Sequence, residues 1–408
     1  MGEPGLTVLV AARDEEARIG TTVAQLRRLF PDAQVLVADD GSRDATAHVA
    51  ASAGARVLRF PHRGKGQALT LAEREAPPGP LLLCDADLHG DLQPLLESEA
   101  DLAIASFTRR QGGGFGLAKG TARRLIAHAC SFEAREPLSG QRRLSKRARA
   151  ACFPLAAGFG VETRMTVDAV RARLDVAEVE LDLEHRPTTR DARGFLHRGR
   201  QLRDLLLAFG PQATNHRGLR LPLAGWVVGA AQPGVAPVAL LGLADDLWSG
   251  EERGFKGHLR SGRTTGVLKL VGIPAYALLR TRSVSGALLV ALAANTLNQL
   301  DTRPGRALKS YALGSLLVRG APRGALAAAV LLAPYDLREM AMLGDSGSNA
   351  LGAVLGFSSV ERFSRRQRWS AIAALAGLNL LGERTSLGRL IERTPGLREL
   401  DALGRQPV

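Results

Sequence analysis

Acidic side chains that follow apolar runs are the residues of this sequence whose types and spacing could do chemistry. Asp85 and Asp87 are separated by one residue and follow the apolar run Pro80–Cys84. In an extended segment, residues two apart point to the same side, so we expect the two carboxylates to converge. Such a pair suits Mg²⁺ or Mn²⁺ bridging phosphate oxygens, and the metal would neutralise a leaving diphosphate. The alternative is a pair of solvated loop carboxylates.

Further polar groups follow the earlier apolar runs. Four carboxylates come directly after the first two runs: Asp14, Glu15, Asp39 and Asp40. Ligands of open α/β sheets bind at the carboxyl ends of the strands, so these acids could accept hydrogen bonds from a nucleobase or a ribose. No G-x-G-x-x-G fingerprint is present there, which argues against a Rossmann-type dinucleotide site. Lys65, in a glycine-flanked loop, could contact the phosphates.

The elements that must position these groups are short strands alternating with helices. Five apolar runs predict strands: Leu6–Ala11, Ala33–Ala38, Arg56–Phe60, Pro80–Cys84 and Ala100–Ser106. Apolar residues at helical spacing predict a helix over Glu15–Phe30, and a second helix is predicted over Asp44–Ala53. This order predicts a Rossmann-like α/β domain with a mostly parallel sheet.

The ordered set of motifs resembles a known enzyme family. Strand-end carboxylates, then DDGSRDAT, HRGKGQAL and DADL, resemble the family-2 glycosyltransferases of GT-A fold, particularly the polyprenyl-phosphate mannose and glucose synthases. The resemblance covers about residues 5 to 205. It implies a nucleotide-sugar donor bound by Asp14, Glu15, Asp39, Asp40, Lys65 and Asp85. It also implies a Mg²⁺ or Mn²⁺ site at Asp85 and Asp87, with Asp87 in a catalytic role.

Two downstream segments fit the same comparison. Leu138–Ser145 (LSGQRRLS) is similar to the acceptor-side segment of the family, and Gly158–Glu162 (GFGVE) to its G-x-G-x-E loop. The resemblance implies that Gln141 and Arg142 bind the acceptor and that Glu162 acts near the sugar as a base or as a hydrogen-bond partner. The alternative for Glu162 is a helix N-terminal carboxylate that satisfies backbone donors.

The charge of the chain favours anionic partners. Lys and Arg number 54 against 40 Asp and Glu, a net charge of +14, which favours phosphate-bearing substrates or an anionic membrane. Aromatic residues make up only 4%, and this argues against nucleic-acid binding. Arg186 and Arg190, on a charged connector, could bind a lipid phosphate or form a solvated basic face. The three cysteines are too few for a disulfide framework, and the expected compartment is reducing.

The second half of the chain consists of long uncharged stretches separated by basic clusters. Leu221–Leu243, Val284–Leu300 and Trp369–Gly382 carry no charged residue, and Arg-rich segments lie between them. A membrane-spanning helix needs about 20 apolar residues, and only the first two stretches approach that length. We predict a GT-A domain over residues 1–210 and an α-helical, membrane-embedded domain over 211–408. The alternative is a soluble domain of buried helices.

Acidic residues inside these stretches form a second candidate site. Asp245 and Asp246 end the first stretch, Asp301 follows the second, and Asp345 lies in the motif GDSGS. This set resembles the polyprenyl-phosphate N-acetylhexosamine-1-phosphate transferases, in a shortened form. The resemblance implies catalytic roles for Asp245, Asp246 and Asp345 and a metal ligand at Asp301. Cationic contacts to a diphosphate would come from Lys256, His258 and Lys269. In a repurposed domain the four aspartates would instead be polar contacts among packed helices.

The sequence therefore predicts metal-dependent sugar transfer from a nucleotide-sugar donor to a polyprenyl-linked acceptor, in cell-envelope glycan biosynthesis. The expected location is the cell membrane, with the active sites facing the cytoplasm. Two alternatives stay open. One is a soluble sugar transferase that acts on a small phosphorylated acceptor and carries an inert helical domain. The other is a non-catalytic membrane scaffold.

Overall fold

The computed structural model describes residues 5–88, 90–107, 117–182, 192–248 and 264–405. The chain divides into two compact units. The first comprises Met1–Gly210 with Gly218–Arg220, and the second comprises Pro211–Arg217 with Leu221–Val408.

A seven-stranded sheet forms the centre of the first unit. Its strands are β1 (Thr7–Ala12), β2 (Gln34–Asp39), β3 (Arg56–Arg59), β4 (Leu81–Asp85), β5 (Leu102–Phe107), β6 (Arg142–Leu144) and β7 (Val176–Leu181). The spatial order is β3-β2-β1-β4-β6-β5-β7. Only β6 runs antiparallel to its neighbours, and the described pairs of the other strands are parallel. The predicted GT-A-like, mostly parallel sheet is confirmed, and the five predicted strands match β1 to β5.

Helices cover both faces of this sheet. They are α1 (Glu16–Leu29), α2 (Thr46–Ser52), α3 (Lys65–Glu73), α4 (Gln93–Glu97), α5 (Leu117–Cys130), α6 (Lys146–Cys152), α7 (Val161–Arg171) and α8 (Ala192–Phe209). In α1, Ile19, Val23 and Leu26 recur at helical spacing and are fully buried. They pack on one face of the sheet, while the side chains of α3 and α7 pack on the other. Burial of these apolar stripes fixes the helices, and the loops after β1, β2 and β4 lie together at one sheet edge.

The second unit is helical. Two short strands, β8 (Gln212–Thr214) and β9 (Arg220–Pro222), lie where the chain passes from one unit to the other. The helices that follow are α9 (Val227–Ala231), α10 (Ala236–Trp248), α11 (Thr264–Thr281), α12 (Val284–Leu300), α13 (Arg306–Leu317), α14 (Arg323–Leu337), α15 (Gly344–Arg362), α16 (Arg365–Thr385), α17 (Leu387–Arg393) and α18 (Leu397–Ala402). Small residues allow close packing. An added Cβ at Gly352 of α15 would lie 2.5 Å from the backbone of Ala293 and Ala294 in α12.

The first uncharged stretch is divided among several short elements, whereas each of the other two lies within one longer helix. Leu221–Leu243 is divided among β9, α9, a 3₁₀ turn at Pro233–Val235 and the start of α10, because its prolines interrupt the helical hydrogen bonding. Val284–Leu300 is a helix of 17 residues. Within the described ranges, no helix combines the length and the hydropathy needed to cross a membrane.

Candidate active site

The loops after β1 and β2 are joined by hydrogen bonds that use the predicted donor-binding residues. Asp14 has a left-handed backbone (φ 54°), which Asp tolerates better than most residues. Its carboxylate accepts from the backbone N–H of Arg43 at 2.8 Å, and its own N–H donates to Ser42 Oγ at 3.0 Å. The N–H of Glu15 donates to Thr46 Oγ1 at 2.7 Å. This local network fixes the position of the acidic loop beside the end of β2.

Asp39 and Asp40 are both buried, and their carboxylates accept hydrogen bonds from backbone N–H groups of neighbouring loops. Asp39 Oδ1 accepts from the N–H of Ser42 at 2.9 Å. Asp40 Oδ1 accepts from the N–H of Arg63 at 2.7 Å, and Oδ2 accepts from the N–H of Gly64 at 3.0 Å. The ring of His62 contacts Asp40 Oδ2 at 2.8 Å. Asp40 therefore shapes the loop that leads into Lys65, and its predicted donor-binding role stays a prediction.

Lys65 connects two of the predicted site residues that are distant in sequence. It is the first residue of α3, and its ammonium donates to Asp85 Oδ1 at 2.6 Å and to Glu162 Oε1 at 2.8 Å. Burial would lower the pKa of Lys65, but the charges of Asp85 and Glu162 and the hydrogen bonds to them raise it above its usual value. Lys65 therefore stays protonated. The carboxyl end of β4 holds one ammonium between two carboxylates.

Gly140 and Gln141 approach the carboxylate of Asp85. Gln141 Nε2 donates to Asp85 Oδ2 at 3.4 Å. A Cβ added at Gly140 would lie 2.2 Å from the same oxygen, so only glycine fits there. Gly140 and Gln141, in the predicted acceptor-side segment, therefore contact Asp85, which is predicted from the sequence to bind the donor and the metal.

The relation between Asp85 and Asp87 differs from the expected one. The expectation assumed an extended segment, but β4 ends at Asp85 and Asp87 lies exposed in the following turn. Both charges still act on one group, because burial and then the charges of Asp85 and Asp87 raise the pKa of the Cys84 thiol well above its usual value.

A pair of carboxylates suits a hard divalent cation whose remaining ligands come from a diphosphate and water. In the described part of the chain, no group of three or more His, Cys, Asp or Glu side chains could hold a metal ion.

Arg142 is not placed as an acceptor ligand. Its side chain is fully buried, because β6 lies inside the sheet between β4 and β5. The guanidinium donates to the carbonyl of Ser139 at 2.8 Å, to Thr166 Oγ1 at 2.9 Å and to the carbonyl of Pro137 at 3.3 Å. Burial lowers the pKa of Arg142 to about 10, against the opposing effect of Glu162 and other acids. Arg142 therefore holds the acceptor-side loop in place.

Several predicted contacts lie outside the described residues. These are Arg186, Arg190, Lys256 and His258.

Comparison with known proteins identifies the first unit. Residues 7–129 match the family described as "Glycosyl transferase family 2". This match supports the predicted glycosyltransferase domain over that part of the first unit.

Two curated relatives are similar to it over part of their length. Glycosyltransferase AglJ of Haloferax volcanii is 29% identical over 174 residues, which are 39% of this chain and 56% of the relative. Glucosyl-3-phosphoglycerate synthase of Mycolicibacterium paratuberculosis is 31% identical over 219 residues, 44% of this chain and 65% of the relative. The chain thus spans between about half and two thirds of the length of these relatives.

Solved structures of glucosyl-3-phosphoglycerate synthase from Mycobacterium tuberculosis are also similar. The complex with Mn²⁺, uridine diphosphate and glucosyl-3-phosphoglycerate is 26% identical, covers 50% of this chain and 80% of that one, and has a TM-score of 0.41. The complex with Mg²⁺ and uridine diphosphate is 25% identical, covers 50% and 78%, and has a TM-score of 0.42.

The second unit also places a lysine between two carboxylates. Lys269 Nζ donates to Asp245 Oδ2 at 3.0 Å and also to Asp345 Oδ2. Asp246 accepts from the N–H groups of Asp345 and Ser346, at 2.8 and 2.9 Å, and so caps the N-terminus of α15. Burial, and then the charge of Asp345, raise the pKa of Asp246 to about 7. Asp345 is therefore brought to the adjacent pair Asp245 and Asp246, from which it is distant in sequence.

Asp301 lines a cavity of about 240 Å³ within the second unit. Burial, and then the charges of Asp336, Asp345 and Asp246, raise the pKa of Asp301 well above its usual value. Asp336 lines the same cavity, accepts from the N–H of Gly305 at 3.0 Å, and was missed by the sequence analysis. Its position in the otherwise apolar helix α14 was the available signal, because a buried acid is costly without a role.

Proposed function

We propose that the N-terminal unit transfers a glycosyl group from a nucleoside diphosphate sugar to an acceptor, using Mg²⁺ or Mn²⁺ held by Asp85 and Asp87. The observation that carries this proposal is the meeting of Lys65, Asp85 and Glu162 at the carboxyl end of β4. This is the edge at which open α/β sheets bind their ligands. A divalent cation bound there would offset the charge of the departing diphosphate.

Other residues of the first unit would bind the donor and activate the acceptor. Asp14, Glu15, Asp39 and Asp40 lie in the loops at the ends of β1 and β2, where carboxylate oxygens can accept from a base or a ribose. Lys65 is positioned to donate to a diphosphate oxygen. Glu162, in the first turn of α7, accepts from the same ammonium as Asp85 and would act on the hydroxyl that attacks the sugar.

We propose a polyprenyl-linked acceptor at the cytoplasmic face of the cell membrane. Large apolar side chains on the helices of the second unit support this. Leu279, Leu316 and Leu317 are 78, 76 and 71% exposed, and Leu313, Leu316 and Leu317 follow one another at the spacing of a single helical face. Exposed apolar faces of this kind suit a lipid environment.

A small phosphorylated acceptor is the second candidate. The relatives named glucosyl-3-phosphoglycerate synthase favour it, since their name specifies glycosyl transfer to a phosphorylated three-carbon acid. In that case the helical unit would have no part in acceptor binding.

For the second unit we propose sugar-1-phosphate transfer to a polyprenyl phosphate, which would supply the lipid-linked acceptor of the first unit. Asp245, Asp246 and Asp345 would be the catalytic carboxylates and Asp301 a metal ligand. The close approach of Lys269 to Asp245 and Asp345 supports a site for a charged phosphate group. A non-catalytic scaffold would retain these contacts without turnover.

One experiment separates these functions. The purified full chain is incubated with Mn²⁺, radiolabelled sugar nucleotides, and either polyprenyl phosphate, preformed lipid-linked sugar or 3-phosphoglycerate. Labelled lipid supports the polyprenyl acceptor, and label on phosphoglycerate alone supports the second candidate. Extension only of preformed lipid-linked sugar would contradict the two-step scheme. Asp85→Asn should abolish transfer, whereas the exposed Asp32→Asn is the matched control. Transfer unchanged by Asp85→Asn would refute the proposed site.

A further inference from the structure

We propose that Lys65 makes metal binding depend on the nucleotide: its ammonium occupies the cation's place on Asp85 until the donor diphosphate draws it away. This inference rests on the proposed function of the first unit. It concerns the order in which the site of that unit accepts its ligands.

The first step is that Asp85 already has a cation. Lys65 Nζ lies 2.6 Å from Asp85 Oδ1, which is the distance of a short charge-assisted hydrogen bond. A divalent cation arriving at this oxygen would meet a positive charge a few ångströms away. Repulsion between like charges at such separations is strong in a partly buried site.

The second step is that both oxygens of Asp85 already have polar partners in the structure. Its other oxygen faces Gln141 Nε2 at 3.4 Å and lies against Gly140, where even a methyl group would come within 2.2 Å. Glu162 holds the ammonium from the opposite side at 2.8 Å. A metal that binds Asp85 would therefore compete with Lys65 for the same carboxylate.

The third step is that a diphosphate removes the competition. Its oxygens offer Lys65 a new negative partner and offer the metal further ligands. Metal and nucleotide should then bind with positive coupling, and each must raise the affinity of the other by the same factor. We expect a factor of about tenfold or more, within the usual range for such coupling.

The test is equilibrium binding of Mn²⁺ to the full chain, measured from the electron paramagnetic resonance signal of free Mn²⁺. The titration is done alone and with a saturating nucleoside diphosphate, either UDP or GDP, whichever raises the melting temperature more. In the wild type, the nucleotide should tighten Mn²⁺ binding by about tenfold or more. Lys65→Met should bind Mn²⁺ alone more tightly than the wild type does, and should bind the nucleotide more weakly. The factor by which the nucleotide raises the Mn²⁺ affinity should fall towards one.

Lys146→Met is the matched control, because Lys146 is also the first residue of a helix in this unit and is exposed. It should behave as the wild type. If the wild type binds Mn²⁺ with the same affinity with and without nucleotide, this inference is overturned and the proposed function is left intact. That measurement needs only the wild type, so it decides the matter even if Lys65→Met does not fold. Unchanged coupling in a folded Lys65→Met would overturn it equally. If neither Mn²⁺ nor either nucleotide binds the wild type, both this inference and the proposed function fail.

Discussion

Replacing Gly140 by alanine should damage both the site and the fold. The added Cβ would lie 2.2 Å from Asp85 Oδ2 and 2.6 Å from both Asp85 Cγ and Oδ1. The whole carboxylate must move, by about 0.8 Å to reach even a tight 3.0 Å contact. Such a shift breaks the 2.6 Å hydrogen bond from Lys65. Misplacement by about 1 Å can cost roughly 100-fold in rate, whereas overpacking costs about 1–3 kcal/mol of stability.

The assay compares kcat/KM for sugar transfer, UDP affinity with Mn²⁺, and the free energy of unfolding. Gly140→Ala should lose roughly 100-fold in kcat/KM. Gly120→Ala is the control, since Gly120 lies within α5 with no atom within 4 Å of an added Cβ. It should stabilise the fold by about 1 kcal/mol and leave transfer unchanged. If Gly140→Ala transferred sugar and bound the nucleotide as well as the wild type does, the close packing of Asp85 against the acceptor-side segment would be refuted.

Arg142→Met leaves buried carbonyls without their donor, so we expect a loss of about 3 kcal/mol in urea denaturation with little change in acceptor KM; a raised KM at unchanged stability would contradict its placement. The melting temperature should fall as pH rises from 5 to 8. Asp246 titrates at about 7 in the folded chain and near 3.8 when unfolded. Its stabilising contribution is complete below the lower value and is lost as pH rises through the higher one, about 2 kcal/mol over this window. Asp246→Asn should flatten the profile, and an unchanged slope would exclude this cause. Asp401→Asn removes the carboxylate that accepts two hydrogen bonds from buried Arg306. Calorimetry should show a loss of about 3 kcal/mol, and the exposed Glu383→Gln should show none.

The sequence predicts the parallel half of the sheet well, because β1, β2 and β4 are continuous apolar runs. It does not reveal β6, whose three residues include Arg142 and Arg143. These arginines can be buried because oxygens from other segments accept from them, the carbonyl of Ala100 from Arg143 and Thr166 Oγ1 from Arg142. Only the tertiary structure supplies such partners, so hydropathy alone places β6 at the surface.

The same limit applies to the site. The identity of the carboxylates and of Lys65 could be predicted from motifs, because strand-end positions are readable from apolar runs. The link from Lys65 to Glu162 spans 97 positions and depends on how α7 packs against α3. The turn at Asp87 overrode the two-residue alternation that an extended strand would have given. In both cases packing and turn geometry, which local sequence does not encode, decided the outcome.

The insertion of β6 has a consequence for how the domain is made on the ribosome. The strands β3, β2, β1 and β4 are neighbours in the sheet, whereas β5 and β7 join them only through the three residues of β6. A nascent chain that ends before Arg142 can therefore complete one sheet fragment while β5 still lacks a bridge to it. Translation through Leu144 closes the gap and brings Gly140 and Gln141 against Asp85. The strands that carry the proposed donor-binding residues are thus built first, and the segment predicted to bind the acceptor is added when the bridging strand emerges.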